Sequence, residues 1–279
     1  MTQTLSSQPS PRPPTVRFRT VRVRRIQTMT PHMLRITLGG EAISDLVTYG
    51  NDQHIKLYFQ RPGVKLPEPF TSETFMALPR SQRPTLRTYT IREHRPAEGE
   101  IDIDFVLHED AGPASHWARN AKLGDSLTFA GPRGAYQVDR QLDALWLVAD
   151  ETGLPAAFAI LETLPPGVYA QAFFEVDNVR EEQPLNTRAN VNVVWVYRHG
   201  VPPGESDVLL DAVRNTTLPA GKVAAWVACE MSVARSLRHH LTEVRGIPND
   251  RVKWVGYWER GQSEDDAYDE AQRAAQAKG

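Results

Sequence analysis

Arg87-Thr88-Tyr89-Thr90-Ile91-Arg92 brings a cation, an aromatic plane and a hydroxyl into one short run. On a β-strand, side chains two apart share a face, so Arg87 and Tyr89 address one ligand while Thr90 offers a hydroxyl or backbone group at the edge. A guanidinium grips phosphate through paired N–H donors, and a phenol ring stacks on a flat heterocycle. The ligand implied carries a phosphate and a flat ring, as a flavin nucleotide does. A second run, Asp102 to Ala118, supplies the other half of such a site. Ile103, Phe105 and Leu107 recur at every second position, with aspartates at 102 and 104, as in a half-buried strand up to His108, and Gly112-Pro113 ends it. Pro113 suits the first turn of a helix, so the N–H groups around Gly112, Ala114 and Ser115 face outward, where a pyrophosphate fits.

The elements that must hold these residues divide the chain in two. Residues 1–14, rich in Pro, Ser, Thr and Gln, read as a disordered tail. Residues 15–138 carry strand-like runs at Val16 to Ile26, Met33 to Leu38, Gln53 to Phe59, Leu86 to Ile91, Ile101 to Leu107 and Ser126 to Phe129. Six short strands with one helix after Pro113 predict a closed antiparallel barrel. Gln60 to Arg83, with four prolines, Gly63 and no period, reads as a long loop able to cover the far end of the ligand. Across residues 139–279 apolar runs alternate with helical patterns, which predicts a parallel sheet with covering helices. Val138 to Leu142 is the expected hinge, and Glu264 to Lys278 reads as a charged, Ala-rich terminal helix.

Composition narrows the function classes. A chain of 279 residues has material for two cores, and a net charge of −2 gives no global field to recruit nucleic acid or an anionic membrane. The single Cys229 excludes an internal disulfide and the four thiolates of an iron–sulfur cluster. No apolar run approaches the roughly 20 residues of a membrane span, and the Pro-rich start lacks a signal-peptide core, so a cytoplasmic location is expected. His239-His240 is adjacent rather than i, i+4, and no metal-ligand set is visible.

Three segments carry a family resemblance. Arg87 to Arg92, Asp104 to Ala118 and Gly256-Tyr257-Trp258-Glu259-Arg260-Gly261 together resemble the siderophore-interacting proteins, FAD-dependent ferric-siderophore reductases related to the ferredoxin-NADP reductases. The likeness extends through Thr30 to Leu38 and Asp52 to Leu57, leaving only the two ends of the chain outside. It implies a FAD-binding barrel followed by an α/β nicotinamide-binding-like domain, with no catalytic group beyond the flavin. Arg87, Tyr89, Thr90, Ile91, Arg92, His108, Gly112, Ala114, Ser115 and Thr152 would touch the cofactor, Thr90 at the flavin N5/O4 edge and Thr152 near the ring.

The second domain departs from the usual dinucleotide pattern. Its first strand-to-helix turn, Asp150-Glu151-Thr152-Gly153, lacks the Gly-x-Gly-x-x-Gly fingerprint and would set two negative charges against a pyrophosphate. Cys229 is similar to the Cys-Gly-Pro of related reductases, whereas this family more often has Gly-Glu; a small buried thiol is the other reading. NADPH or NADH is the implied donor, with ferredoxin as a further possibility, and Arg198, Arg235 and Arg238 could approach a 2′-phosphate. Ferric catecholate and hydroxycarboxylate chelates are anionic, so Arg251, Lys253, Arg260 and Arg235 are the substrate candidates, with Tyr257 and Trp258 as core aromatics. Two other functions stay open: a general flavin reductase with another acceptor, and a non-catalytic flavoprotein that binds or senses siderophores.

Overall fold

The computed structural model describes residues 17–108 and 112–266; the predicted N-terminal tail and most of the predicted terminal helix lie outside the described residues. The first sheet contains β1 (Arg17–Thr30), β2 (Met33–Gly39), β3 (His54–Phe59), β4 (Thr85–Thr90), β5 (Glu93–Arg95), β6 (Glu100–Val106) and β7 (Ser126–Arg133). Their order is β4-β3-β7-β1-β2-β6-β5, antiparallel throughout. The strand beyond the six expected is β5. Its three residues are too few for a visible alternation, and Arg95 holds it through two 2.7 Å hydrogen bonds to Asp102.

The sheet rolls up around Ile36, Leu38, Ile55, Leu57, Ile101, Ile103, Phe105 and Phe129, but it does not close as a full barrel. The β4 and β6 edges meet through the Tyr89 and Phe105 rings, 4.5 Å apart, and one backbone bond from Arg92 N–H to Asp102 O at 2.9 Å. That leaves β4 as an edge strand. The predicted long loop is partly ordered as α1 (Ser72–Ala77), capped by Thr71 and Thr74, which drives Phe75 against Tyr58 and Phe70. The cap uses Thr where a capping box usually shows Glu or Gln, so the pattern hides its start. The helix after Pro113 is α2 (Pro113–Asn120).

The second domain comprises β8 (Ala144–Ala149), α3 (Leu154–Glu162), β9 (Tyr169–Val176), β10 (Asn190–Tyr197), α4 (Val208–Asn215), β11 (Val223–Glu230), α5 (Met231–His239) and β12 (Val252–Trp258). The sheet is parallel, in the order β10-β9-β8-β11-β12. Every residue of β8 and β11 is buried, as expected of strands covered on both faces. Phe158, Ile160 and Leu161 of α3 pack on one face, Leu209, Val213, Leu237 and Leu241 on the other. The strand order reverses between β8 and β11, so the ligand crevice of this architecture lies at their carboxyl ends.

Polar contacts lock the two domains together. Arg92 donates to both oxygens of Glu162, at 2.8 and 2.6 Å. Glu181 accepts from Thr30 Oγ1 at 2.5 Å and from the His32 N–H at 3.1 Å. No helix among the described residues is long and apolar enough to cross a membrane.

Candidate functional site

β4 shows how the first motif is used. Register pairs Arg87 with Leu57 and Tyr89 with Ile55, so both side chains share the barrel-facing side, while Thr88 and Thr90 share the outer face with Lys56 and His54. Backbone donors alternate too. The Ile91 N–H turns inward to Gln53 O, and the Leu86 and Thr88 N–H groups turn outward to the carboxylates of Asp265 and Glu264, at 3.0 and 2.7 Å. By the same period the Thr90 N–H faces outward, between those carboxylates and the contact with β6. Arg87 donates to Asp265 Oδ2 at 2.6 Å, and the Tyr89 ring packs against Phe105, tilted by 38°, at the barrel core. Burial pushes the Tyr89 phenol well above its ordinary range, so it remains a neutral ring. A row of outward donors beside a guanidinium and a buried phenol suits a ligand with phosphates at one end and a ring at the other. That two carboxylates already sit on those donors shows that the site accepts anions.

The second motif meets it from the side. α2 begins at Gly112, whose side contributes no cap, with Pro113 in the first turn, so its first N–H donors stay available to an anion. Ala114 is buried, and the Ser115 hydroxyl accepts the His108 N–H at 3.3 Å, tying the strand end to the helix start. Burial lowers the His108 pKa, with Asp150 of the second domain opposing it. The ends of β6 and β8 therefore face each other. Ile91 is buried in the barrel core. Arg92 stands apart, its guanidinium committed to Glu162 and laid over the Phe158 ring at 5.8 Å.

The charges at the second domain's crevice are resolved internally. Asp150, 5% exposed, accepts from Thr152 N–H (2.9 Å), Thr152 Oγ1 (2.6 Å), Gly153 N–H (3.3 Å), Glu230 N–H (3.0 Å) and Trp258 Nε1 (2.8 Å). Thr152 is thus fixed by Asp150, and the Trp258 indole, read from sequence as core, is a strut of this turn. Arg198 pairs with Glu151 and, at 3.3 Å, with Glu175. Burial raises the Glu175 carboxyl to about 7 against the pull of Arg198, with Asp150 and Glu151 adding to the rise. Gly153 takes over a task the glycine fingerprint performs elsewhere: a Cβ there would stand 2.3 Å from Ala228 O. Cys229 is 1% exposed and burial pushes its thiol up, which removes it as a nucleophile. The Tyr257 phenol rests against the Thr90 hydroxyl, so β12 reaches the end of β4.

The cations proposed for substrate do not converge. Arg251 precedes β12 and Arg260 follows it, so the length of a seven-residue strand, about 23 Å, separates them. Arg260 pairs with Glu205 at 2.8 Å, Lys253 points outward from β12, and Arg235 is exposed on α5. The structure gathers a different set. His54, Lys56 and Arg133 stand together where β3 and β7 pair, and the two cations lower the His54 pKa along with its burial, the larger cause. His54 lies directly across the ladder from Thr90. No single segment encodes this group; its signal was the alternation of His54 and Lys56 with buried Ile55 and Leu57.

Comparison with known proteins gives the family. Residues 22–136 match the model of the siderophore-interacting FAD-binding domain, and residues 142–261 match that of the siderophore-interacting protein. The chain belongs to the siderophore-interacting protein family. It binds FAD through its first domain. A siderophore utilization protein from T. fusca superposes with a TM-score of 0.81 at 35% identity, over 90% of this chain and 96% of that one. The ferric vibriobactin reductase ViuB of Vibrio cholerae is 30% identical over 88% of this chain and 91% of its own. The NADPH-dependent ferric-chelate reductase of Escherichia coli is 31% identical over 87% and 93%.

Proposed function

We propose that this family member is a FAD-dependent ferric-siderophore reductase, taking electrons from NADPH or NADH and delivering them to chelated Fe(III), which leaves as Fe(II). The observation that carries the reading is the outward donor row of β4 with Arg87 beside it and Tyr257 closing over Thr90. When bound, FAD accepts two electrons and passes them on singly, the conversion that Fe(III) reduction requires. Arg87 and the N–H groups at Gly112, Ala114 and Ser115 hold its phosphates, and Tyr89 and Thr90 orient its ring. His54, Lys56 and Arg133 draw an anionic ferric chelate toward the ring edge. Iron is held by the donors of its chelate, so the reading calls for no protein ligand set. Thr152 and the crevice at β8 and β11 receive the nicotinamide, with a ferredoxin as the other candidate donor. A reducing, cytoplasmic setting fits the single buried thiol.

Anaerobic mixing tests both halves. Bleaching of the yellow protein by NADPH or NADH, followed by ferrous trapping with ferrozine when a ferric catecholate is added, is the expected result. Failure of both nicotinamides to bleach the flavin would transfer the donor role to a ferredoxin. Bleaching without ferrous release would favour a reductase with another acceptor. The substitutions Lys56→Ala and Arg133→Ala should raise KM for an anionic chelate several-fold, with the bleaching rate unchanged.

A further inference from the structure

The chain's own carboxylates stand on the donors that a flavin phosphate needs. Leu86 N–H gives to Asp265 Oδ1 at 3.0 Å, and Arg87 Nη1 to Asp265 Oδ2 at 2.6 Å. Thr88 N–H and Oγ1 give to the two oxygens of Glu264 at 2.7 and 2.6 Å, and Lys56 Nζ reaches the same residue at 2.8 Å. The segment is shaped for this. Ser263 Oγ accepts the Asp266 N–H at 3.2 Å, an N-cap that fixes the turn presenting both acids to β4. Each carboxyl is less than one-third exposed, and the Lys56 and Thr88 hydrogen bonds hold Glu264 below the usual carboxylate range despite its burial.

Consecutive anions on an edge strand mimic consecutive phosphates. Arg87 and the outward N–H groups of Leu86 and Thr88 cannot serve both at once. We propose that Glu264 and Asp265 form an intramolecular strap that competes with FAD for β4, leaving as the flavin phosphates arrive and returning when they depart. The inference rests on placing those phosphates at Arg87 and the β4 edge. Its consequence is quantitative, since apparent affinity equals intrinsic affinity multiplied by the fraction of molecules with the strap released. The strap therefore weakens FAD retention and stabilises the chain that lacks flavin.

The test uses the full chain stripped of flavin and titrated with FAD, read by quenching of flavin fluorescence. The double substitution E264Q/D265N retains the shapes and drops the charges; it should bind FAD at least about tenfold more tightly than the wild type. E259Q, an exposed acid four residues ahead of the Ser263 cap and off the β4 donors, should match the wild type, and R87A should bind more weakly. Melting supplies a second readout: stripped E264Q/D265N should melt below the stripped wild type, while the two FAD-loaded forms melt alike. If R87A weakens binding but E264Q/D265N does not tighten it, the strap is overturned and the site stands. If R87A binds FAD as well as the wild type, the phosphate placement and the strap fall together.

Discussion

Tyr89 sits between the Phe105 ring and the outward edge of β4, where only its ring is of use, because burial keeps the phenol neutral. Tyr89→Phe is expected to leave FAD affinity within about threefold, and Tyr89→Ala to weaken it roughly tenfold through lost stacking, as fluorescence titration would show. Glu175 makes the opposite kind of statement. Its carboxyl titrates near 7 in the fold against 4.5 when free, so the folded chain holds a proton there that the unfolded chain releases. The stability linked to that proton is present below pH 4.5 and is lost as pH rises through 7. Urea midpoints should fall across this window in the wild type and change less in Glu175→Gln, in which Arg198 retains Glu151. At this scale the sequence was readable wherever one strand or turn carried the pattern: Arg87 and Tyr89 on one face by a period of two with Thr90 on the other, and the start of α2 by the Gly112-Pro113 break. His54, Lys56 and Arg133 were not readable, because β3–β7 register assembles them. The charges of Asp150 and Glu151 were visible, but not that Trp258 donates to the first and Arg198 pairs with the second from the ends of other strands.

Two helix starts show how an element serves the site. α2 lacks a side-chain cap at Gly112, and a capping residue there would improve the helix while repelling phosphate. Gly112→Asp should therefore raise thermal stability slightly and weaken FAD binding, opposite signs from one substitution. At α3 the requirement is closeness. The Cβ of Gly153→Ala would stand 2.3 Å from Ala228 O and 2.9 Å from Ala149 Cβ, so α3 must lift from β8 and β11 at about 1–3 kcal/mol, measurable by denaturant unfolding. The alternation of apolar runs and helices made the parallel sheet legible. β5 and α1 escaped notice because one is too short for a period and the other starts on an unusual cap.

Across the whole molecule, the proposed function depends on holding β4 against the carboxyl ends of β8, β11 and β12. Arg92 of the first domain and Glu162 of the second do much of this, with the Arg92 side chain 8% exposed. Arg92→Ala should cost about 1.5–3 kcal/mol in unfolding and leave FAD affinity close to wild type. A loss of affinity matching that of R87A would instead make Arg92 a cofactor contact. The two-domain division was legible in the change of period near residue 140; the seam was not, since its partners, such as Thr30 and Glu181, lie 151 residues apart. The open margin of β4 carries a last implication, for colloidal behaviour. A row of unsatisfied strand donors is a template on which another copy of the chain can add a strand, and natural sheets shield such margins with charge. Here the shielding is lent by Glu264 and Asp265 and, with FAD placed as proposed, by a dissociable nucleotide. Cells short of riboflavin should accordingly accumulate this protein in the pellet, and light scattering from stripped samples should grow with concentration sooner in E264Q/D265N than in the wild type.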